Sequence, residues 1–207
     1  MCGSDKPSGA IGNMLARRSI RSYTSQQVKY EDLEVLLSCA LHAPNGGGLQ
    51  LPRFLVIRDA GMLERLNAAV QSELASRDCR EGSMMAKGIR RAQRSGYHFI
   101  YHAPTLISAA APRAADNAMA DCACALENIL LAAEACSLGA CWSNQLHWLT
   151  SVPAIRTILA QAGLRPDEDI FGSVAVGYAA ETGKRAAARR PGRVVLDGVP
   201  AEVRALS

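Results

Sequence analysis

The sequence predicts an α+β fold, a modest sheet flanked by helices with one helix central. Three observations carry this. Short apolar runs suited to strands recur at 54–57, 105–108 and 171–178. The stretches between them show helical spacing. One of these, 116–137, has Ala, Met, Cys, Leu and Ile on nearly every side of the helical wheel, as a helix buried in a core or between subunits does.

Taken in order, residues 9–17 read as a short opening helix. A clearer helix spans 30–42, where Leu33, Leu36, Leu37, Ala40 and Leu41 share one face. Pro44 stops it, and Asn45-Gly46-Gly47-Gly48 follows as a loop. Phe54-Leu55-Val56-Ile57 reads as a strand, and 60–76 as a helix. Residues 78–96 are polar, rich in Arg and Gly, and without clean periodicity, which reads as a mobile cover over a site. Thr105-Leu106-Ile107-Ser108 is a second strand. Gly139 is placed as terminator of the central helix. Ala140-Cys141-Trp142 begins a strand, 152–162 forms a helix ending at Gly163, and Phe171 to Tyr178 is a further strand. One domain is expected, with a core over about 9–178 and an extended C-terminal arm over 179–207.

Bulk composition narrows the function classes. The 207 residues are 49% hydrophobic and 20% charged, ordinary for a globular protein. No run approaches the roughly 18 apolar residues of a membrane span, and the N-terminus has no apolar signal segment. A cytoplasmic protein with no membrane partner is the expectation. Seven cysteines without a C-x-x-C pair argue against a disulfide framework or a zinc site. They read as small buried apolar residues, with Cys122 and Cys124 pointing in different directions. The 23 cationic residues comprise 19 Arg and 4 Lys. The arginines cluster at Arg17, Arg18 and Arg21, at Arg90, Arg91 and Arg94, and at Arg185, Arg189, Arg190 and Arg193. Few aromatics lie among them and no nucleic-acid motif occurs, so no nucleic-acid partner is expected.

Two segments offer binding chemistry. In an extended stretch Arg17, Ser19 and Arg21 share one side, presenting two guanidinium groups and a hydroxyl to a phosphate and its neighbouring hydroxyls. The loop from Ala43 to Gln50 holds three consecutive glycines, which let backbone approach a flat ligand. Neither a P-loop nor a dinucleotide fingerprint is present. Other chemistry has weaker support. His98 and His102 have the spacing of a helical metal pair but no nearby carboxylate in sequence, so no metal is expected. Cys141 with His147 lacks an orienting third residue. Trp142 and Trp148 fit packing better than stacking.

These pieces together resemble the nitroreductase family of FMN-dependent enzymes. The resemblance rests on Arg17-Arg18-Ser19-Ile20-Arg21-Ser22-Tyr23 and the helix that follows, and on Tyr101-His102-Ala103-Pro104 before a strand. It rests also on the run from Asp121 to Trp142, and on the strand ending at Tyr178 followed by Arg189. It covers about 12–195. It implies a nitroreductase-like fold with a mixed or antiparallel sheet and an intertwined homodimer holding FMN at the subunit boundary. Arg17, Arg18, Ser19 and Arg21 would hold the phosphate and ribityl chain, joined by Arg189 or Arg190 from the arm. Gln50 would sit near the ring edge, with Trp142, Ser143 and Asn144 beside the ring. The family often has Asn two residues before this Gln and Pro-Trp after it; here Gly48, Leu51 and Pro52 stand there. Asn45 or a backbone N–H is the candidate replacement. Hydride would pass from NAD(P)H through the flavin to a nitroaromatic, quinone or related acceptor, with no obligatory catalytic side chain. Dehalogenation, flavin destruction and azoline dehydrogenation on the same scaffold stay open, as does FMN storage without turnover. A homodimer also follows from the breadth of the apolar surface of 116–137, which exceeds what one modest sheet covers.

Overall fold

The computed structural model describes residues 9–78, 82–181, 186–190, 192–194 and 197. Cys2, Cys79, Arg185 and most of the arm lie outside them.

Four strands form one sheet in the order β1-β2-β4-β3, every pair antiparallel: β1 (Arg53–Ile57), β2 (Thr105–Pro112), β3 (Gly139–Ser143) and β4 (Glu168–Gly177). Among the described residues the parallel component is a single bridge, Ser19 to Ala140, on the outer edge of β3. β2 and β4 are central and almost wholly buried, so they carry largely apolar runs in place of a polar–apolar alternation. Their one polar cross-strand pair, Ser108 opposite Ser173, satisfies itself by a hydroxyl–hydroxyl bond of 2.8 Å.

Helices cover both faces. On one, α2 (Tyr30–Leu41) and α5 (Ala118–Ala135) pack with Ile107, Ala109, Val174 and Val176. On the other lie α3 (Ala60–Ala75), α4 (Met84–Ala92), α6 (Gln145–Leu149) and α7 (Pro153–Gln161), around Leu106, Ala110, Ala175 and Phe99. α1 (Gly9–Ala16) lies on α5 and buries no side chain.

Several expectations change here. The segment 78–96 contains a regular helix, α4. Ser83 caps it by accepting the Ala86 N–H at 3.0 Å, and its buried face is Ala86, Gly88, Ile89 and Ala92. Small residues hid that face from a hydrophobicity pattern. α5 is central as expected, and nine of its eighteen residues are buried against the sheet, α2 and α1. Gly139 does not end α5. Ser137 takes the left-handed position at φ 57°, with Leu138 N–H bonding Ala133 carbonyl at 2.8 Å and Ser137 N–H bonding Glu134 carbonyl at 3.1 Å. Gly139 is instead a point of close approach, since a Cβ there would stand 2.8 Å from Ile20 Cγ2. The cysteines also divide. Cys122 and Cys141 are buried, Cys39 and Cys136 half-buried, and Cys124 exposed, with none of these five in a disulfide among the described residues. Burial pushes the Cys122 thiol up to about 12, aided by Asp121. Among the described residues no helix is long and apolar enough to cross a membrane.

Candidate active site

The segment following α1 is laid along the β3 edge. Ile20 N–H donates to Ala140 carbonyl at 3.0 Å, and Thr24 N–H to Tyr178 carbonyl at 2.9 Å. Tyr23 fastens it from beneath, its hydroxyl donating to Ile20 carbonyl at 2.7 Å; burial pushes that phenol's pKa far up. Ile20 turns inward onto Gly139, and alternation leaves Ser19 and Arg21 on the opposite side. Arg17 does not share this alternation, because its N–H still bonds Asn13 carbonyl at 2.9 Å and closes the last turn of α1. Arg18 donates through Nη1 to the carbonyls of Leu15 and Arg17, both at 2.7 Å. Its Nε is buried with no hydrogen-bond partner.

This edge placement brings two segments more than 120 residues apart to one cleft. Arg21, Trp142 and Asn144 line a cavity of about 290 Å³, together with Tyr101, Gln145 and Trp148. Trp142 lies over Gly172, where any Cβ would stand 2.7 Å from its ring, so the sheet itself seats the indole. Trp142 N–H donates to the Asn144 side-chain oxygen. Buried Ser143 donates to Gln145 Oε1 at 2.7 Å. Both tryptophans therefore pack and also present a surface to the cleft.

Tyr101 was not expected as a site residue. Its ring lies 5.8 Å from the Arg21 guanidinium. It and His102 both have φ 58°, a left-handed conformation costly for residues with side chains. His98 holds that turn: its Nδ1 accepts the N–H groups of Ile100 at 3.4 Å and His102 at 3.2 Å. The fold does supply the carboxylate missing from sequence, since Glu64 of α3 stands 3.5 Å from His98 Nε2. The backbone bonds nevertheless fix the neutral tautomer with its proton on Nε2, leaving that nitrogen a donor to Glu64 without a lone pair for a metal. His147 Nδ1 is tied to Ile170 carbonyl at 3.0 Å, and Cys141 Sγ lies against Trp142 carbonyl, so neither is posed as base and nucleophile.

Burial, reinforced by His102 and opposed by Glu64, lowers His98 from 6.5 to about 4. Between those values the unfolded chain binds a proton that the folded chain refuses, so stability falls as pH drops through that window. The slope is at most about 1.4 kcal/mol per pH unit and is reduced where water reaches the ring. Urea midpoints at pH 7 and pH 5 measure it. His98→Gln, which can still accept through its amide oxygen, should flatten the difference; an unchanged difference would remove His98 as its source.

The glycine loop lies elsewhere. Gly46–Gly48 forms one turn of 3-10 helix, with Gly47 and Gly48 at φ 61° and 68° and Gln50 at φ 51°. Asp121 on α5 accepts from Gly46 N–H at 2.9 Å and from Asn117 at 2.6 Å. Asn45 accepts the Gln50 N–H at 2.9 Å. Asn45 and Gln50 line a cavity of about 210 Å³ with α2 and α5, which shares no residue with the Arg21 cleft. Arg189 and Arg190 are exposed, and no bond joins them to 17–21 among the described residues.

This architecture has counterparts among known proteins. The profile of the Nitroreductase family matches residues 14–178. The chain belongs to the nitroreductase family. A protein of Archaeoglobus fulgidus named as an NADH dehydrogenase/NAD(P)H nitroreductase is 29% identical over 166 residues, 78% of this chain and 80% of that one. A nitroreductase from Bacteroides fragilis, solved with bound FMN, superposes with a TM-score of 0.83 at 30% identity, over 92% of this chain and 99% of that one. Oxidised iodotyrosine deiodinase bound to FMN and 3-iodo-L-tyrosine shares the fold, with a TM-score of 0.69 at 15% identity over 93% of this chain and 100% of that one.

Proposed function

We propose that this chain is an FMN-dependent oxidoreductase that takes hydride from NAD(P)H and passes it to a small acceptor such as a nitroaromatic or quinone. The juxtaposition of Arg21 with Trp142 and Asn144 in one cleft carries the reading. FMN fits these residues. The buried Arg18 Nε has no partner and Arg17 makes no ion pair among the described residues, so both can serve a phosphate. Ser19 and Arg21 follow on the same side as donors to ribityl and ring. Asn144 and the backbone of 142–144 flank the ring position, and Trp142 closes one wall. Bound FMN supplies the hydride-accepting and hydride-donating chemistry. The chain's own work is to hold it, to orient a flat reactant and to keep water out. The similarity to the B. fragilis protein and the A. fulgidus name support this reading.

The family's ring-edge amide has no counterpart at Gly48, and the Asn45 oxygen is already engaged by Gln50 N–H. That favours a second reading, a different flavin reaction on the same scaffold such as reductive dehalogenation. An absorbance spectrum and mass analysis of the released flavin, then anaerobic titration with NADH and NADPH, test the first reading. FAD, or no flavin after reconstitution, would overturn it; bound FMN not reduced by either nicotinamide would leave the storage reading.

We further infer a homodimer. For Asn45, Gly48 and Gln50 to meet the flavin, the loop must come from a second copy, because in one chain it faces a separate cavity. α1 offers the matching apolar surface, with Ile11, Met14 and Leu15 each more than half exposed. Arg189 and Arg190 would reach the phosphate from the arm. A cytoplasmic location is part of the same reading. Light scattering that found a flavin-loaded monomer near 22 kDa would refute the shared site.

A further inference from the structure

We propose that the cleft beneath α4 binds an anionic aromatic ligand, a flat ring bearing a carboxylate, sulfonate or phosphate, beside the flavin position. The proposal deepens the reading above and relies on it only for where the flavin lies. Two adjoining cavities, of about 270 and 290 Å³, share Arg21, Arg91, Tyr101 and Gln145. Arg94 adds a cation to the first and Lys87 to the second, and neither cavity is lined by a carboxylate. Five arginines elsewhere in the fold, Arg53, Arg77, Arg113, Arg156 and Arg165, reach carboxylates. Lys87, Arg91 and Arg94 make no such pair among the described residues. A one-sign cleft with low-dielectric walls concentrates counter-ions.

The walls specify the rest. Tyr97, Tyr101, Trp142 and Trp148 make them aromatic, and guanidinium groups stack on such rings while forking onto an anion. The Tyr97 hydroxyl is buried in this wall within reach of the Gln145 side chain, and the two add a polar pair to the aromatic lining. α4 is held over the cleft by Gly88, where a Cβ would stand 3.3 Å from Trp148. Its cations come from outside the 17–21 segment assigned to the cofactor phosphate, so they address the reactant that follows it. Two reactants carry this chemistry: an acidic nitroaromatic or quinone acceptor, and the adenosine 2′-phosphate end of NADPH.

The two tryptophans of the chain both line the cleft, so their fluorescence reports on it directly. Purified protein is titrated with 4-nitrobenzoate against 4-nitrobenzamide, and with adenosine 2′-phosphate against adenosine. The anion of at least one pair should bind about tenfold or more tightly than its neutral partner, the loss of one charge-assisted contact. Arg91→Gln with Arg94→Gln should erase that preference, and Arg91→Lys alone should keep most of it. The pair that shows the preference identifies the ligand as acceptor or donor. Equal binding within both pairs, or a preference that survives the double substitution in protein with unchanged circular dichroism, overturns the proposal. Because the readout needs no turnover, it stands apart from failure of the flavin assays above.

Discussion

Arg21→Ala is expected to weaken FMN binding by about 1.5–3 kcal/mol, the worth of hydrogen bonds to a charged group. Arg21 is the cation of the 17–21 segment that the fold brings against Trp142 and Asn144, and its own chain holds it only loosely, by a long bond from Nη1 to Ser19 carbonyl at 3.4 Å. The Tyr101 ring would lose its cation as well. Arg17→Ala should behave similarly at the phosphate end. Arg91→Ala is the control, because it lines the same cleft from α4 and is assigned to the reactant. Flavin affinity from ultrafiltration or fluorescence recovery decides the matter. An Arg91 effect larger than that of Arg21 would move the phosphate to the α4 side and undo the assignment. The structural cost should be small, since Arg21 is exposed.

The parts of the fold legible in sequence are those whose burial shows as pattern. α2 announces itself through Leu33, Leu36 and Ala40 on one face, and β2 and β4 through largely apolar runs. α4 does not, because packing against Trp148 requires Gly88 and small neighbours that hydropathy scores as indifferent. α6 is a five-residue helix, too short to show a period. The proposed cofactor segment is legible because residue type and order carry it: Arg17 to Arg21 and Trp142 to Asn144 are recognisable as strings. Their meeting depends on one edge pairing, Ser19 with Ala140, which no local pattern encodes. The carboxylate near His98 was missed for the same reason, since Glu64 arrives from α3. So was the shared orientation of Arg91 and Arg94 with Tyr101, which a charge cluster alone leaves indistinguishable from a solvated face.

Arg53→Ala should cost about 3 kcal/mol of folding stability while leaving flavin affinity unchanged, because it strands a buried carboxylate far from the cleft in sequence and element. Glu168 opens β4 and is 1% exposed. Both of its oxygens lie 2.7 Å from Arg53 Nη1, and its other contacts are the Arg165 N–H at 3.0 Å and the distal Arg165 guanidinium at 3.9 Å. Arg53 itself is more than a third exposed, which holds the expected cost to the lower end of values for broken buried pairs. The neighbouring Asp169 cannot compensate, being an anion already shared by Arg113 and Arg156. Neutralising the stranded group should recover part of the loss, so Arg53→Ala combined with Glu168→Gln is expected to be more stable than Arg53→Ala alone. Urea unfolding gives both values, as midpoint shifts at constant slope. A loss below about 1 kcal/mol, within the range of an ordinary surface ion pair, would mean that water reaches Glu168 and that β4 is anchored by its apolar neighbours alone.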